Sequence, residues 1–282
     1  MPIWYSEQQN ENLLLSCRIR QTLHVEKTPF QDLAVVDTVQ FGRMLVLDGV
    51  VQTAIADEFA YHEMLAHVPL NAHPAPRRVL IIGGGDGGLM REVVKHKAVE
   101  RATLCEIDER VVEVSKQYLP ELAVGFEHPK AEVFIGDGIR YVSERKDTFD
   151  VILCDSTDPI GPSVGLFSRE FYQAVYEALR PDGIFVAQTE SPYFHTGMFA
   201  RILNDLRGIF PVARGYWTLV PSYPSAAWSF SLGSKKYDPL AVEVEQIPDL
   251  GTRYYTPEIH KAAFALPRFV LNEIEEQAKK GA

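Results

Sequence analysis

At 282 residues, with 46% hydrophobic and 23% charged residues, the chain can bury a full core as one large domain or as a large one with a small companion. A formal net charge of −10, without basic clusters interleaved with aromatics, argues against nucleic acid as a partner. No apolar run approaches the roughly 20 residues of a membrane span, MPIWYSEQQNEN lacks the regions of a secretion signal, and Cys17, Cys105 and Cys154 read as reduced, buried thiols, so the expected location is cytoplasmic, away from membranes.

From Asn12 to about Ile55 the chain runs in short apolar or alternating stretches, LLLSCRI, LHVEKT, DLAVVDTV and MLVLDGVVQT, with breaks containing Pro29, Gly42 and Gly49. This pattern predicts hairpin-connected antiparallel strands and a small N-terminal β domain over residues 1–56. From Asp57 the period changes, with Tyr61, Met64, Leu65 and Val68 at i, i+3, i+4 and i+7, which predicts a helix ending before NAHPAPRR.

Strands and helices then alternate. VLIIG (79–83) precedes a helix near Leu89 to His96, and ATLCEI (102–107) precedes a helix with Ile107, Val111, Val114 and Tyr118 on one stripe. AEVFIG (131–136), FDVILCD (149–155) and GIFVAQ (183–188) follow as strands, with a helix carrying Phe171, Val175, Ala178 and Leu179 between the last two. Such alternation over residues 57–282 predicts a doubly wound parallel sheet covered on both faces, an α/β catalytic domain. The last third reads less clearly: a helix near Met198 to Phe210, strands near 212–220 and 227–233, and helices after Thr256 and Pro267.

The first strand of the alternating part enters GGGDGG (83–88), which satisfies G-x-G-x-x-G, and Glu106 at the end of the next strand is placed to accept hydrogen bonds from ribose hydroxyls. The combination predicts a nucleoside-containing ligand. Asp86 within the loop is unusual, because a pyrophosphate there would meet a second negative charge at a cost of about 1 to 4 kcal/mol. A ligand tail ending in a carboxylate suffers similarly, whereas a tail ending only in an ammonium is attracted. The alternative is that Asp86 turns away and caps the following helix.

Asp137 and Gly138 follow the next strand, where the acid resembles one that bonds an adenine amino group. Beyond the strand at 149–155, DSTDPIGP delivers Asp155 and Asp158 into a turn. Asp86, Glu106, Asp137, Asp155 and Asp158 thus stand at or past the ends of four consecutive predicted strands, where an open α/β sheet binds its ligands. Paired carboxylates suit a cationic substrate, and one of them could accept a proton from it. Tyr61, His62 and Tyr223 could contact a bound amine or serve only as core packing with satisfied polar tips. His67, His73, His96, His128, His195 and His260 have no metal-like spacing, so no metal is expected.

The segments LDGVVQT (47–53), DEFAYHEM (57–64), VLIIGGGDGG (79–88), EID (106–108), GDG (136–138), DSTDPIGP (155–162), SYPS (222–225) and YYTPEIHKAAFALP (254–267) strongly resemble, in order, the spermidine synthase family of polyamine aminopropyltransferases. The resemblance implies a Rossmann-like methyltransferase-type fold. It implies transfer of an aminopropyl group from decarboxylated S-adenosylmethionine, a co-substrate with no separate cofactor, to a diamine such as putrescine, giving spermidine and 5'-methylthioadenosine. Homodimers or homotetramers are usual in the family. By the same resemblance Gln31, Asp86, Glu106, Asp137 and Gly138 would contact the donor, with Pro162 near its thioether side. His62, Asp155 and Asp158, joined by Tyr61 and Tyr223, would face the acceptor, with Asp155 the proton acceptor.

An alkylammonium and a free aspartic acid differ by about 6.5 pKa units, roughly 9 kcal/mol, so Asp155 must sit in an enclosed pocket that narrows the gap. Asp158 is then the anchor for a charged amine. An ordinary S-adenosylmethionine methyltransferase is the alternative that Asp86 and the Asp155/Asp158 pair oppose. A non-catalytic polyamine- or nucleoside-binding protein is the other, and the intact set of acids gives it no support.

Overall fold

A computed structural model describes residues 1–159 and 161–280, without the Pro162 side chain. Strands β1 (Ile3–Asn10), β2 (Leu13–Lys27), β3 (Asp32–Thr38), β4 (Gly42–Leu47) and β5 (Val50–Ala54) form an antiparallel sheet in chain order. The turns at Gly42 and Gly49 have φ of 70° and 78°, a conformation that glycine adopts without steric cost. β1 has only the short run Ile3, Trp4 and Tyr5 before it turns polar, and its pairing with β2, Ile3 opposite Ile19 through Glu7 opposite Leu15, makes it a strand. Cys17 on β2 is only half-buried, unlike Cys105 and Cys154, and all three thiols are free.

Helix α1 (Glu58–Ala72) leads into β6 (Arg78–Gly83), α2 (Gly88–Val94), β7 (Arg101–Glu106), α3 (Glu109–Tyr118), the short α4 (Pro120–Ala123), β8 (Ala131–Ile135) and α5 (Gly138–Ser143). β9 (Phe149–Asp155), α6 (Arg169–Ala178), β10 (Leu179–Gln188), α7 (Thr196–Arg207), β11 (Val212–Leu219), β12 (Ala227–Ser234), α8 (Pro257–Ala262) and α9 (Arg268–Lys280) complete the chain. The second sheet has the order β11-β12-β10-β9-β6-β7-β8. β8, β7, β6, β9 and β10 run parallel, and β12 is antiparallel to both its neighbours, so the sheet is mixed at that edge.

The chain winds outward from β6 to β8 and returns to β9, which lies against the other side of β6. The strand order therefore reverses between β6 and β9, the crevice where a doubly wound sheet takes ligands. The strands there are apolar along their middles, with Leu80, Ile81, Val151, Ile152 and Leu153 all fully buried. That burial on both faces leaves the carboxyl ends as the place for polar chemistry.

Candidate active site

The glycine loop between β6 and α2 is built around Asp155. Gly83 pairs with Asp155 across the parallel ladder, and the Gly84 N–H donates to the Asp155 carbonyl at 3.0 Å. Gly83 has φ of 78°, and a Cβ there would lie 2.2 Å from the Asp155 carbonyl oxygen. A Cβ on Gly85 would come within 2.9 Å of Glu106 Oε2. The loop thus brings its backbone against two acids that the sequence separates by almost fifty residues.

Asp155 accepts a hydrogen bond from the Tyr61 hydroxyl at Oδ1, 2.7 Å away, while Oδ2 is buried and has no partner among the described residues. Burial, with the Asp86 charge adding to it, pushes the Asp155 carboxyl up to about 6, against the opposing effects of His62 and Tyr61. That is the direction a base for an ammonium proton requires, although the residue as a whole is half-buried.

Asp86 both caps a helix and faces the cavity, so the two alternatives read from the sequence are not exclusive. Its Oδ1 accepts from the Gly88 N–H at 2.6 Å at the start of α2, and the residue lines the same cavity as Asp155. His62 is not among the lining residues. Its ring is 2% exposed and lies behind Asp86, with Nε2 3.5 Å from Asp86 Oδ1 and Nδ1 2.6 Å from Glu58 Oε2. Although burial disfavours the charge, Asp86 and Glu58 together push the His62 imidazole well up.

Glu106 at the end of β7 is buried with its Oε1 accepting from the Asp108 N–H at 3.0 Å. Burial raises its carboxyl to about 7, with Asp108 contributing, against bonds from the Asp108, Ile107 and Gly85 N–H groups. Gln31 donates to Asp108 Oδ2 at 2.9 Å, so the N-terminal sheet supplies one wall of this region. Asp137, exposed at the rim, caps α5 by accepting from the Ile139 N–H at 2.8 Å, and Gly138 lies so close to Ile82 that a Cβ would stand 2.4 Å from Cγ2. The expectation for the Pro162 side chain lies outside the described residues.

Asp158 faces a second acidic group. It hydrogen-bonds Glu190, and burial, then Glu190 and Glu7, push its carboxyl up to about 9, so Asp158 favours its protonated form. Glu190 is 3% exposed, has φ of 66°, and lies 3.2 Å from His195 Nδ1. Glu7 reaches in from β1 and accepts from the Val51 N–H at 2.9 Å. Tyr223 lies in the turn between β11 and β12, and its hydroxyl donates to the Gln52 carbonyl. Its ring stands 5.9 Å from that of Tyr61 and 4.7 Å from that of Trp228.

One cavity therefore gathers Gln31, Asp86, Glu106, Asp137, Gly138, Asp155, Asp158, Tyr61 and Tyr223, and leaves His62 behind its wall. Glu7, Gln52, Gln188 and Glu190 also line it and were not singled out in the sequence. Glu190 stands two residues past the end of β10, the same signal that marks the other acids. Glu7 carries no such signal, since only sheet pairing brings it there.

Among the described residues, two groups of three potential ligands, His62/Asp86/Asp155 and His73/Asp150/Asp182, have their ligand atoms within 4.8 Å of one another. His62 is held as a donor between two carboxylates. His73 Nδ1 accepts from the Ala75 N–H at 3.1 Å, which leaves its Nε2 protonated.

The spermine/spermidine synthase domain family matches residues 58–244, and the spermidine synthase tetramerisation domain family matches residues 3–54. A polyamine aminopropyltransferase of Desulforudis audaxviator is 65% identical over 96% of this chain and 98% of its own, and one of Moorella thermoacetica is 60% identical over 97% and 96%. A crystal structure of a spermidine synthase in complex with the transition-state analogue AdoDATO superposes with a TM-score of 0.95 at 42% identity, covering 98% of this chain and 97% of that one. Spermidine synthase from Thermotoga maritima gives 0.92 at 40% identity, covering 98% and 96%.

Proposed function

Because the chain belongs to the spermine/spermidine synthase family and is a polyamine aminopropyltransferase, we propose that it moves the aminopropyl group of decarboxylated S-adenosylmethionine to putrescine. The products are spermidine and 5'-methylthioadenosine. The observation that carries this reading is the distribution of acids along one cavity. Asp86 and Asp155 meet at the glycine loop, Glu106 faces a place for a ribose diol, and Asp158, Glu190 and Glu7 form a separate anionic end. A diamine with a cation at each end matches such a lining, and a donor without a carboxylate suits Asp86.

The chain's part in the reaction is mostly positional. The neutral acceptor nitrogen attacks the methylene beside the sulfonium in line, the C–S bond breaks with its electron pair going to sulfur, and Asp155 Oδ2 takes the proton from the attacking nitrogen. Tyr61 orients that carboxylate through Oδ1 and leaves Oδ2 free. The distal ammonium takes the place of the proton on Asp158 and faces Glu190, which compensates buried negative charge. Gln31, Glu106, Asp137 and Gly138 hold the nucleoside, and no cofactor or metal takes part.

We read the exposed apolar residues of the first two strands, Ile3, Trp4, Leu14 and Val25, as a contact between copies in a homodimer or homotetramer. The site sits in an α/β protein in which none of the described helices is long and apolar enough to cross a membrane, and we assign it to the cytoplasm. Mass-spectrometric product analysis with decarboxylated S-adenosylmethionine and, separately, putrescine, agmatine, cadaverine and spermidine tests the reading. Spermidine and methylthioadenosine in equal amounts, fastest with putrescine, are expected. A faster reaction with another amine reassigns the acceptor, and methyl transfer from S-adenosylmethionine overturns the reading.

A further inference from the structure

Behind the glycine loop lies a line of alternating charge that reaches the cavity only at Asp86. Arg91 on α2 places its guanidinium 3.0 and 2.9 Å from the two oxygens of Glu58. Glu58 on the first turn of α1 meets His62 Nδ1 at 2.6 Å, and His62 Nε2 faces Asp86 at 3.5 Å. The Glu58 and His62 side chains are 5% and 2% exposed, and neither residue lines the cavity. Gly88 exists as glycine against this line: a Cβ there would stand 2.3 Å from the His62 ring.

Buried ionic side chains are costly to assemble, and this row adds no apolar burial to the core. Its effect falls on the cavity. The Asp86 charge raises the proton affinity of Asp155, and an Asp155 that holds a proton cannot accept one. A positive His62 offsets that repulsion, and Glu58, 2.6 Å from Nδ1, joins Asp86 in keeping it positive. We propose that Glu58, oriented by Arg91, is a positioning residue for the transfer: through His62 it fixes the Asp86 carboxylate and keeps Asp155 in its proton-accepting form. This rests on the reading of Asp155 as the base.

The groups facing His62 are few. Glu58 and Tyr61 come from its own helix, Asp86 from the loop before α2, and Asp155 from the end of β9. Arg91, which also pairs with Glu92, and Asp57 act through Glu58. Burial would raise the Glu58 carboxyl, and His62 and Arg91 hold it below its ordinary value, as the proposed ion pairs require.

Two measurements on Glu58→Gln and Glu58→Asp separate this role from packing. In protein labelled with 15N-histidine, the His62 signal, assigned by its loss in His62→Gln, should be that of an imidazolium at pH 8 in the wild type, neutral in E58Q and charged again in E58D. In parallel, the acid limb of kcat/KM for the acceptor should move up by about one pH unit in E58Q, an approximately tenfold loss on that limb that disappears by pH 9. E58D should return the limb towards the wild type. A neutral His62 in the wild type, a charged one in E58Q, or a loss of activity equal at every pH overturns the proposal. The wild-type spectrum serves this purpose even if E58Q does not fold. Failure of the underlying reading would instead appear as a wild type that makes no aminopropyl product while its histidine spectrum stands as described.

Discussion

Asp155 and Asp158 are three residues apart and have different surroundings, so their substitutions should separate kinetically. Asp155 has a buried oxygen without a partner among the described residues, whereas Asp158 hydrogen-bonds Glu190. Asp155→Asn should lower kcat by about 100-fold to 10,000-fold with a smaller rise in the acceptor KM, the range for a lost general base. Asp158→Asn should chiefly raise the acceptor KM, by about tenfold or more, as expected for a charge-assisted contact. Steady-state kinetics with varied putrescine check both, and a pure KM effect in Asp155→Asn would assign that residue to binding. The acids were legible in the sequence wherever a predicted strand ended, because a parallel sheet presents its strand ends on one side. Glu190 carried the same mark. His62 could not be placed in this way, since the i, i+3, i+4 pattern says which residues face inward and not which of them reach a cavity.

The elements that hold the site show where periodicity stops being informative. Leu179 fits the apolar stripe of α6 and its N–H still bonds the Val175 carbonyl, yet it begins β10. A stripe continues for as long as the core does and does not mark the last helical residue. The hairpin of β11 and β12 is similar: both strands are apolar enough to be seen, but their direction depends on the turn between them. That turn is tied to α1, where Asp57 accepts from the Ser222 N–H at 2.6 Å and its hydroxyl at 2.9 Å, and the tie delivers Tyr223 to the cavity. The start of α2 offers a test of such packing. Gly88→Ala should destabilise the fold by about 1 to 3 kcal/mol and displace the His62 ring, lowering activity although Gly88 contributes no side chain. Thermal unfolding and turnover measured together check this, and an unchanged melting temperature would show that the ring has room to move.

Several raised carboxyls make the stability of the whole molecule depend on pH. Asp155, Glu106 and Asp158, pushed up mainly by burial to about 6, 7 and 9, bind protons more tightly folded than unfolded, where aspartate and glutamate titrate near pH 4. Their contribution is full below about pH 4 and is lost as pH rises through those folded values. Glu58 and Glu92 act oppositely: burial opposes their charge, but their cationic partners lower both, so their contribution is lost on acidification. Without ligands, Tm should therefore fall between about pH 5 and pH 9, and spermidine with methylthioadenosine should reduce the fall by placing cations against the same acids. A Tm that rises over this range in the ligand-free protein contradicts the assignment. The order of strands and helices, the glycine loop and the five acids at strand ends follow from the chain alone, because each is a local pattern of period, turn residues and position. The arrival of Glu7 from the first strand, the withdrawal of His62 behind Asp86 and the meeting of Asp158 with Glu190 do not, because each depends on residues far apart in sequence meeting where water is excluded, and burial there sets the protonation that the chemistry uses.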